Sequence, residues 1–272
     1  MQDEIFKATT TQKKQLITRK KDSLQDQVKP DSTGLSLLKT SGWLLVLLLI
    51  PQLFIGLFLG IYYGVVNGSG GAQDNMDMWF NSIPILLIIS LLSPMITLPL
   101  LSWATPVKTI RDKINFWALT DLNKKLLLKW LVVGIVFWLV VTAISELFSF
   151  PVDGFMVELE TALTSSSIIA LTVVTICLLV PIIEELIFRG WLFTRIATTK
   201  LGNIGAVTIT SLIFTVIHSQ YQHLTTFAVI FSLGLLLAIA RHKTNNTSYC
   251  IAIHIIFNSL SILSLLTFST AS

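Results

Sequence analysis

The chain has 272 residues, of which 53% are hydrophobic and 12% are charged. A charged fraction about half that of ordinary soluble proteins argues against a water-soluble globular domain. The formal net charge of +4 comes from 19 basic and 15 acidic residues, and the basic residues lie between apolar segments rather than in one patch. We therefore expect a membrane protein that does not bind nucleic acid.

Seven apolar segments follow one another along the chain, and most approach the roughly 20 residues that a helix needs to cross the hydrocarbon core. They cover residues 42–65, 83–103, 130–148, 168–196, 203–222, 225–240 and 249–268. None alternates apolar and polar residues as membrane strands do. The sequence therefore predicts an all-α polytopic transmembrane bundle in the lipid bilayer, with about seven spans and a range of six to eight.

Basic residues alternate between the connections, and this pattern predicts the orientation of the bundle. Eight Lys and Arg residues lie within 1–40 and six within 104–129, whereas the connections 66–82, 149–166 and 219–226 contain none. By the positive-inside rule, the N-terminus is cytoplasmic. We expect an integral, multi-pass protein of a bacterial cell membrane.

The composition divides the chain into three parts. Residues 1–40 form a polar cytoplasmic arm, 41–164 an N-terminal membrane half, and 165–268 the half in which ionisable residues enter the apolar segments. Charges mixed with Trp and Phe over 105–128 favour a helix on the cytoplasmic membrane surface. The segment 155–163 gives a weaker indication of a surface helix on the other side. Functional residues are therefore sought in 165–268.

Three charged side chains lie in an apolar stretch that begins at Pro181 and reads Pro-Ile-Ile-Glu-Glu-Leu-Ile-Phe-Arg-Gly. Charges inside a span are costly and usually mark a functional site. Glu185 and Arg189 have the spacing of a helical ion pair, whereas Glu184 points about 100° away around the helix. Glu184 is thus the free carboxylate, and it can act as a general base. The alternative is a helix end where both acids meet Arg189 and water.

Two further pairs are spaced four residues apart in predicted spans. Phe214 and His218 form one pair, and His254 and Asn258 form the other, so each pair shares a helix face. A single histidine in an apolar helix is more often a satisfied core residue than a functional one. The other two of the four histidines fall in connections, where we expect them to be solvated.

The depth of these residues in the bilayer provides a partial check. A hairpin that turns at Leu201-Gly202 brings Glu184 and His218 to equal depth, because residue 201 is midway between them. His254 follows its preceding connection by only about ten residues. A tilted or re-entrant span would be needed to bring it level, and the spacing leaves this point open.

Three motifs follow one another along the chain: Glu-Glu-x-x-x-Arg at 184–189, Phe-x-x-x-His at 214–218 and His-x-x-x-Asn at 254–258. In this order they resemble the motifs of the CAAX-protease and bacteriocin-processing family of intramembrane proteases, also termed CPBP or Abi. The family includes the type II CAAX prenyl endopeptidase and bacterial proteins linked to bacteriocin self-immunity. Each motif is weak alone, but three in order on apolar helices are specific. The resemblance covers about 165–265, and it implies that 165–268 is an intramembrane protease core.

The resemblance also implies a role for each motif residue. Glu184 would be the general base that activates a water molecule, and His218 would help to hold that water. His254 and Asn258 would stabilise the oxyanion of the tetrahedral intermediate. The residues that would shape the site rather than react are Glu185, Arg189 and Phe214.

These motifs do not establish a cofactor. Glu184, His218 and His254 match the two-histidine, one-carboxylate set of catalytic zinc sites, and the family is often termed metalloprotease, but a glutamate-activated water is the preferred interpretation. The alternatives to a protease are a non-catalytic immunity or regulatory protein and a proton-relay transporter. The substrate, a peptide or a membrane protein, stays open: a prenylated CAAX tail, a bacteriocin leader, a pheromone precursor and a membrane regulator all fit.

Overall fold

The computed structural model describes residues 33–67 and 73–268, and the regular secondary structure within them is entirely helical. The predicted all-α class is therefore confirmed. The helices are α1 (Thr33–Asn67), α2 (Gln73–Phe80), α3 (Ile83–Ala104), α4 (Ile110–Phe116), α5 (Lys124–Leu147), α6 (Gly154–Ala162), α7 (Ser166–Ala197), α8 (Gly202–Val216), α9 (Leu224–Thr244) and α10 (Thr247–Phe268).

The chain divides into two units, Met1–Lys39 and Thr40–Ser272. Only the start of α1 represents the first unit among the described residues, so most of the predicted arm at 1–40 lies outside them. All the contacts discussed below lie within the second unit.

Six of the described helices are long and apolar enough to cross a membrane: α1, α3, α5, α7, α9 and α10. The predicted span at 203–222 is shorter than expected, because α8 has 15 residues and is thus about 22 Å long. The hydrocarbon core is roughly 30 Å thick. The chain leaves the helix at Ile217, and non-helical backbone is tolerated at membrane depth where it lines a protein cavity.

Helix α7 changes its geometry twice along its length. The segments Val173–Leu179 and Leu186–Leu192 are π-helical, and they flank the α-helical turn Val180–Glu185. A π turn holds more residues than an α turn, so it shifts the side chains that follow around the helix axis, and such turns are frequent at functional sites. The two adjacent glutamates lie at the end of the α-helical turn between the π segments.

The end of the bundle that contains α4 is fastened by polar contacts between connections. The Thr247 hydroxyl donates to the Trp117 carbonyl over 2.7 Å, and the Trp117 indole donates to the Thr105 hydroxyl over 2.9 Å. Trp117 is only 8% exposed. The predicted surface helix over 105–128 is therefore reduced to α4, and Trp117 and Ala118, which follow it directly, are buried in the protein.

At the opposite end of the bundle, the surface helix predicted at 155–163 corresponds to α6. Its Leu159 is buried in a cluster with Ile83 of α3 and Ile262 of α10. Since these side chains hold α6 against the bundle, one face of it belongs to the protein core rather than to the membrane surface.

A close helix contact sets the position of α10. A Cβ atom on Gly134 of α5 would lie 3.1 Å from Cγ2 of Ile253. Glycine lets helices approach closely in membranes, where packing rather than the hydrophobic effect drives their association. The core between α9 and α10 is formed by Leu233, Leu237, Ala240, Cys250 and Ile253.

Candidate active site

Glu185 and Arg189 form the ion pair that their spacing predicts. Nη1 of Arg189 donates to Oε1 of Glu185 over 2.8 Å, and both side chains are fully buried. Nη2 donates to the Gly234 carbonyl on α9 over 2.8 Å, and Cζ lies 4.6 Å from the ring centroid of Phe214. Arg189 therefore neutralises Glu185 and connects α7 to α8 and α9.

Glu184 takes no part in that pair and faces a cavity instead. Its Oε1 lies 3.8 Å from Nε2 of His218, and its Oε2 lies 3.8 Å from Nε2 of His254. These separations are too long for direct hydrogen bonds but short enough for a bridging water molecule. Each carboxylate oxygen of Glu184 thus faces one imidazole.

His218 lies in the turn after α8, and not within a transmembrane helix as predicted. Its Nδ1 lies 2.6 Å from the carbonyl oxygen of Phe214. Because a carbonyl only accepts hydrogen bonds, Nδ1 carries the proton, and Nε2 of the neutral ring is an acceptor. The Phe214 ring lies 4.6 Å from the imidazole, centroid to centroid. The lone pair of His218 Nε2 therefore faces Glu184.

His254 contacts both glutamates through its two ring nitrogens. Nδ1 lies 3.0 Å from Oε1 of Glu185, and the imidazole is almost fully buried. Since Glu185 is ionised in its pair with Arg189, Nδ1 is the donor of this bond. Nε2 then accepts in the neutral ring and donates in the imidazolium.

The depth of His254, which the spacing left open, follows from where α10 begins. Thr247 bonds to Trp117, and the Trp117 backbone packs against Gly190 of α7. Gly190 is six residues, or about 9 Å, from Glu184, and His254 is seven residues, or about 10 Å, from Thr247. The imidazole therefore reaches the glutamates without a re-entrant span.

Asn258 lies one turn beyond His254, and its Nδ2 donates to the Ile176 carbonyl over 2.9 Å. In the π segment of α7 that contains Ile176, backbone N–H groups bond to carbonyls five residues back. The residue five positions after Ile176 is Pro181, which has no N–H. The Asn258 amide therefore satisfies a carbonyl that the proline leaves without a backbone donor.

A cavity of about 700 Å³ lies in front of Glu184. Its walls are mostly aliphatic side chains of α1, α3 and α7, and all four predicted catalytic residues contribute to its lining. The other polar side chains around it are Gln52, Ser90, Ser93, Thr97, Gln220 and Tyr221. A largely apolar cavity with a few convergent polar groups is the usual form of a small-molecule or peptide site.

Sequence reasoning missed three residues around this site. Arg241 belongs by sequence to the basic residues before α10, yet it is 7% exposed and donates through Nε to the Arg189 carbonyl over 2.9 Å. Tyr221 stacks on His218 at 6.4 Å between ring centroids, and Asp153 contacts the start of α9. Only Tyr221 could have been suspected, from its closeness in sequence to His218.

The three residues that could together ligate zinc, Glu184, His218 and His254, lie farther apart here than the ligands of a tetrahedral zinc ion. Among the residues that the structure describes, no three His, Cys, Asp or Glu side chains are arranged to hold a metal ion. Ligands at about 2.0–2.1 Å from a tetrahedral zinc ion lie about 3.4 Å apart, whereas Glu184 lies 3.8 Å from each Nε2 atom.

Comparisons with known proteins give matches in the second half of the chain. Residues 166–260 match the family model described as type II CAAX prenyl endopeptidase Rce1-like. An Escherichia coli protein named "Uncharacterized 24.3 kDa protein" is 34% identical over 115 residues, which are 42% of this chain and 52% of that protein. The chain thus spans about half the length of this curated relative.

No solved structure matches the chain. The family match starts at the first residue of α7 and ends in α10. It therefore includes both glutamates and Arg189, both site histidines and Asn258. The segment 166–260, which carries this site, is thus similar to the Rce1-like family of type II CAAX prenyl endopeptidases.

Proposed function

We propose that the chain is an intramembrane endopeptidase that hydrolyses a peptide bond of a membrane-associated peptide or a membrane protein. The observation that carries the proposal is the position of Glu184, whose carboxylate oxygens each face a histidine Nε2 at 3.8 Å. This group lies in the wall of a largely apolar cavity, where a substrate segment leaving the bilayer can bind. The match of 166–260 to a protease family supports the same class of reaction.

Glu184 is the general base of the proposed reaction. A water molecule between Glu184 Oε1 and His218 Nε2 would donate one proton to each, because both atoms are acceptors. Its lone pairs would then point away from these two groups, toward a peptide carbonyl bound in the cavity. As the water oxygen forms its bond to the carbonyl carbon, Glu184 takes the proton and the carbonyl electrons become an oxyanion.

The oxyanion is stabilised from α10. Nδ1 of His254 is bonded to Glu185, so His254 donates to the oxyanion through Nε2 in its protonated form. Asn258 has a second N–H besides the one given to Ile176. The intermediate collapses when protonated Glu184 gives its proton to the amide nitrogen and the C–N bond breaks, which restores the carboxylate.

The charges of the site leave room for one additional proton. Glu184 and Glu185 carry two negative charges, and Arg189 supplies one positive charge. Uncompensated charge is costly in an apolar interior, so one additional proton on Glu184 or His254 brings the group to neutrality. When that proton is on His254, the base is ionised and the oxyanion donor is charged, as the reaction requires.

The proposed orientation has the N-terminus in the cytoplasm. Contacts join the connections that contain basic residues at one end of the bundle: Arg241 bonds to Thr194 of α7, and Thr194 bonds to the Phe116 carbonyl of α4. Under the positive-inside rule this end is cytoplasmic. We further propose that the substrate approaches from this side, and cleavage confined to outer segments of membrane proteins would contradict that.

The proposal is tested by comparing new protein N-termini in membranes of cells that carry wild type, Glu184→Gln or Glu146→Gln. The Glu184 change keeps the side-chain volume and removes the base. Glu146 is exposed near the end of α5 and provides the same chemical change outside the site. We expect a set of N-termini that wild type and the Glu146 variant produce and the Glu184 variant does not.

Identical N-termini in all three strains, with each variant folded, would overturn the peptidase proposal. If a bacteriocin-immunity phenotype also persisted in the Glu184 variant, a non-catalytic immunity or regulatory protein would take its place. Loss of the same N-termini on treatment with a zinc chelator would instead show that the mechanism above lacks a required metal.

A further inference from the structure

Asp153 makes a set of contacts that the proposed reaction does not use. It lies in the connection between α5 and α6 and is 3% exposed. Oδ1 of Asp153 accepts hydrogen bonds from the backbone N–H groups of Gln222, over 2.6 Å, and His223, over 3.4 Å. Oδ2 accepts a hydrogen bond from the Thr226 hydroxyl. One carboxylate from a distant part of the chain thus bonds to three groups around the start of α9.

These contacts form a helix cap supplied from another segment. His223 is the N-cap residue of α9, and its own side chain makes no capping bond. The first N–H groups of a helix have no partner within the helix, and a negative charge at this end also interacts favourably with the helix dipole. Asp153 places its carboxylate at this end of α9, where it accepts from the two N–H groups just before the helix and from the Thr226 hydroxyl in the first turn. Hydrogen bonds to an ionised acceptor are stronger than neutral ones.

The capped segment is continuous with the turn that carries His218. The Tyr221 N–H donates to the His218 carbonyl over 3.2 Å, and the two rings are nearly parallel, at 12° and 6.4 Å between centroids. The other side of this arrangement is fixed by Phe155, whose ring meets Tyr221 edge-on at 5.7 Å. Phe155 is only two residues after Asp153.

His218 is therefore held from two directions. On the α8 side its Nδ1 bonds to the Phe214 carbonyl, and on the α9 side it contacts Tyr221. The segment 217–223 is not helical, so no regular backbone ladder fixes it, and contacts from the 153–155 segment take that place. We infer that Asp153 is a positioning residue that orders the 217–223 turn and thereby directs Nε2 of His218 at Glu184.

The structural part of this inference is independent of the proposed peptidase, whereas its kinetic part rests on it. The experiment uses the full chain in lipid nanodiscs and compares wild type with Asp153→Ala and Asp153→Asn. Asn keeps an oxygen that accepts from the Gln222 N–H but lacks the charge. Asp121→Ala is the matched control, since Asp121 is exposed and lies away from the site.

The first measurement is hydrogen–deuterium exchange of peptides covering 217–221, with peptides from α10 as the internal reference. We expect exchange at 217–221 to be about tenfold faster in Asp153→Ala, because the local opening becomes easier, while α10 is unaffected. Asp153→Asn should fall between that variant and wild type, and Asp121→Ala should match wild type. Unchanged exchange at 217–221 in Asp153→Ala would overturn the inference, and so would an equal increase in α10, which would indicate general destabilisation.

The second measurement uses a peptide substrate taken from the N-termini that wild type generates. We expect kcat to fall about tenfold in Asp153→Ala with KM unchanged, because the substrate cavity is retained while the water-holding histidine loses its order. Asp153→Asn should restore part of kcat. A rise in KM with kcat unchanged would contradict a positioning role. If wild type and Glu184→Gln generate the same N-termini, the peptidase proposal fails, and the exchange data alone decide the role of Asp153.

Discussion

His254 and Glu185 are joined by a hydrogen bond of 3.0 Å between Nδ1 and Oε1. The same carboxylate oxygen accepts the 2.8 Å bond from Arg189. An ionised carboxylate bonded to one imidazole nitrogen fixes the tautomer and the direction of the ring, as the aspartate of a catalytic triad does. The bond from Nδ1 to Glu185 therefore sets the direction of the His254 ring, and the second nitrogen, Nε2, lies 3.8 Å from Glu184.

The proposed oxyanion role predicts the effect of His254→Gln. Gln retains a donor for Glu185 but cannot become a cation, so we expect kcat to fall about 10²- to 10³-fold with little change in KM. The measurement is steady-state cleavage of a peptide substrate by the purified protein in nanodiscs. His242→Gln, at an exposed residue, is the control and should retain full activity. Wild-type kcat in His254→Gln would exclude the oxyanion role.

Arg189→Met is expected to destabilise the fold. The substitution keeps most of the side-chain volume but leaves the buried group of Glu184, Glu185 and His254 with one uncompensated negative charge. Loss of one partner of a buried pair costs about 3–5 kcal/mol. The free energy of unfolding is measured by denaturant titration in mixed micelles. Lys200→Met, at an exposed position, controls for the loss of a positive charge. The double variant Glu185→Gln with Arg189→Met should recover part of the loss, and a single-variant loss below about 1 kcal/mol would contradict the prediction.

Gly190→Ala should destabilise the contact between α7 and the Trp117 segment. The added Cβ would lie 3.2 Å from the carbonyl oxygen and 3.5 Å from Cα of Trp117, both backbone atoms that cannot rotate away. Overpacking of this kind costs about 1–3 kcal/mol and opposes the roughly 1 kcal/mol that alanine gains over glycine in a helix. Gly56→Ala has open space around the new atom, so it should keep or raise the melting temperature. A Gly190 variant as stable as that control would show that the Trp117 backbone can shift to accommodate the added Cβ at little cost.

The Asp153 cap predicts a pH dependence of stability. Burial raises the pKa of Asp153, but hydrogen bonds from Gln222, Thr226 and His223, with the charge of His223, outweigh it, so the pKa lies below its usual value. Because the folded-state pKa is lower than the unfolded value of about 3.9, the stabilisation is full well above that value and is lost as the pH falls through the lower folded pKa.

The measurement is the difference in melting temperature between wild type and Asp153→Asn from pH 7 down to pH 3. We expect wild type to melt higher at pH 7 and the difference to decrease below about pH 4, as the carboxylate becomes protonated. Asp121→Asn should show no such change. A difference that is constant over this range would mean that the charge of Asp153 contributes nothing to the cap.

Two features of this protein follow from its sequence alone. The membrane helices follow because runs of about 20 apolar residues have no other stable form in a bilayer. The Glu185–Arg189 pair and the separate direction of Glu184 follow because residues four apart in a helix share a face and adjacent residues do not. Both depend on interactions within a few residues, so they can be read before the fold is known.

Other features depend on where each helix starts and on which elements pack against it, and these were decided by the tertiary structure. His254 reaches the glutamates because Thr247 and Trp117 begin α10 at the level of Gly190, and His218 lies in a turn because α8 is short. The Asp153 cap joins residues about 70 positions apart. No periodicity in the sequence encodes such contacts, because they arise only when helices distant in the chain pack side by side and their polar groups must find partners.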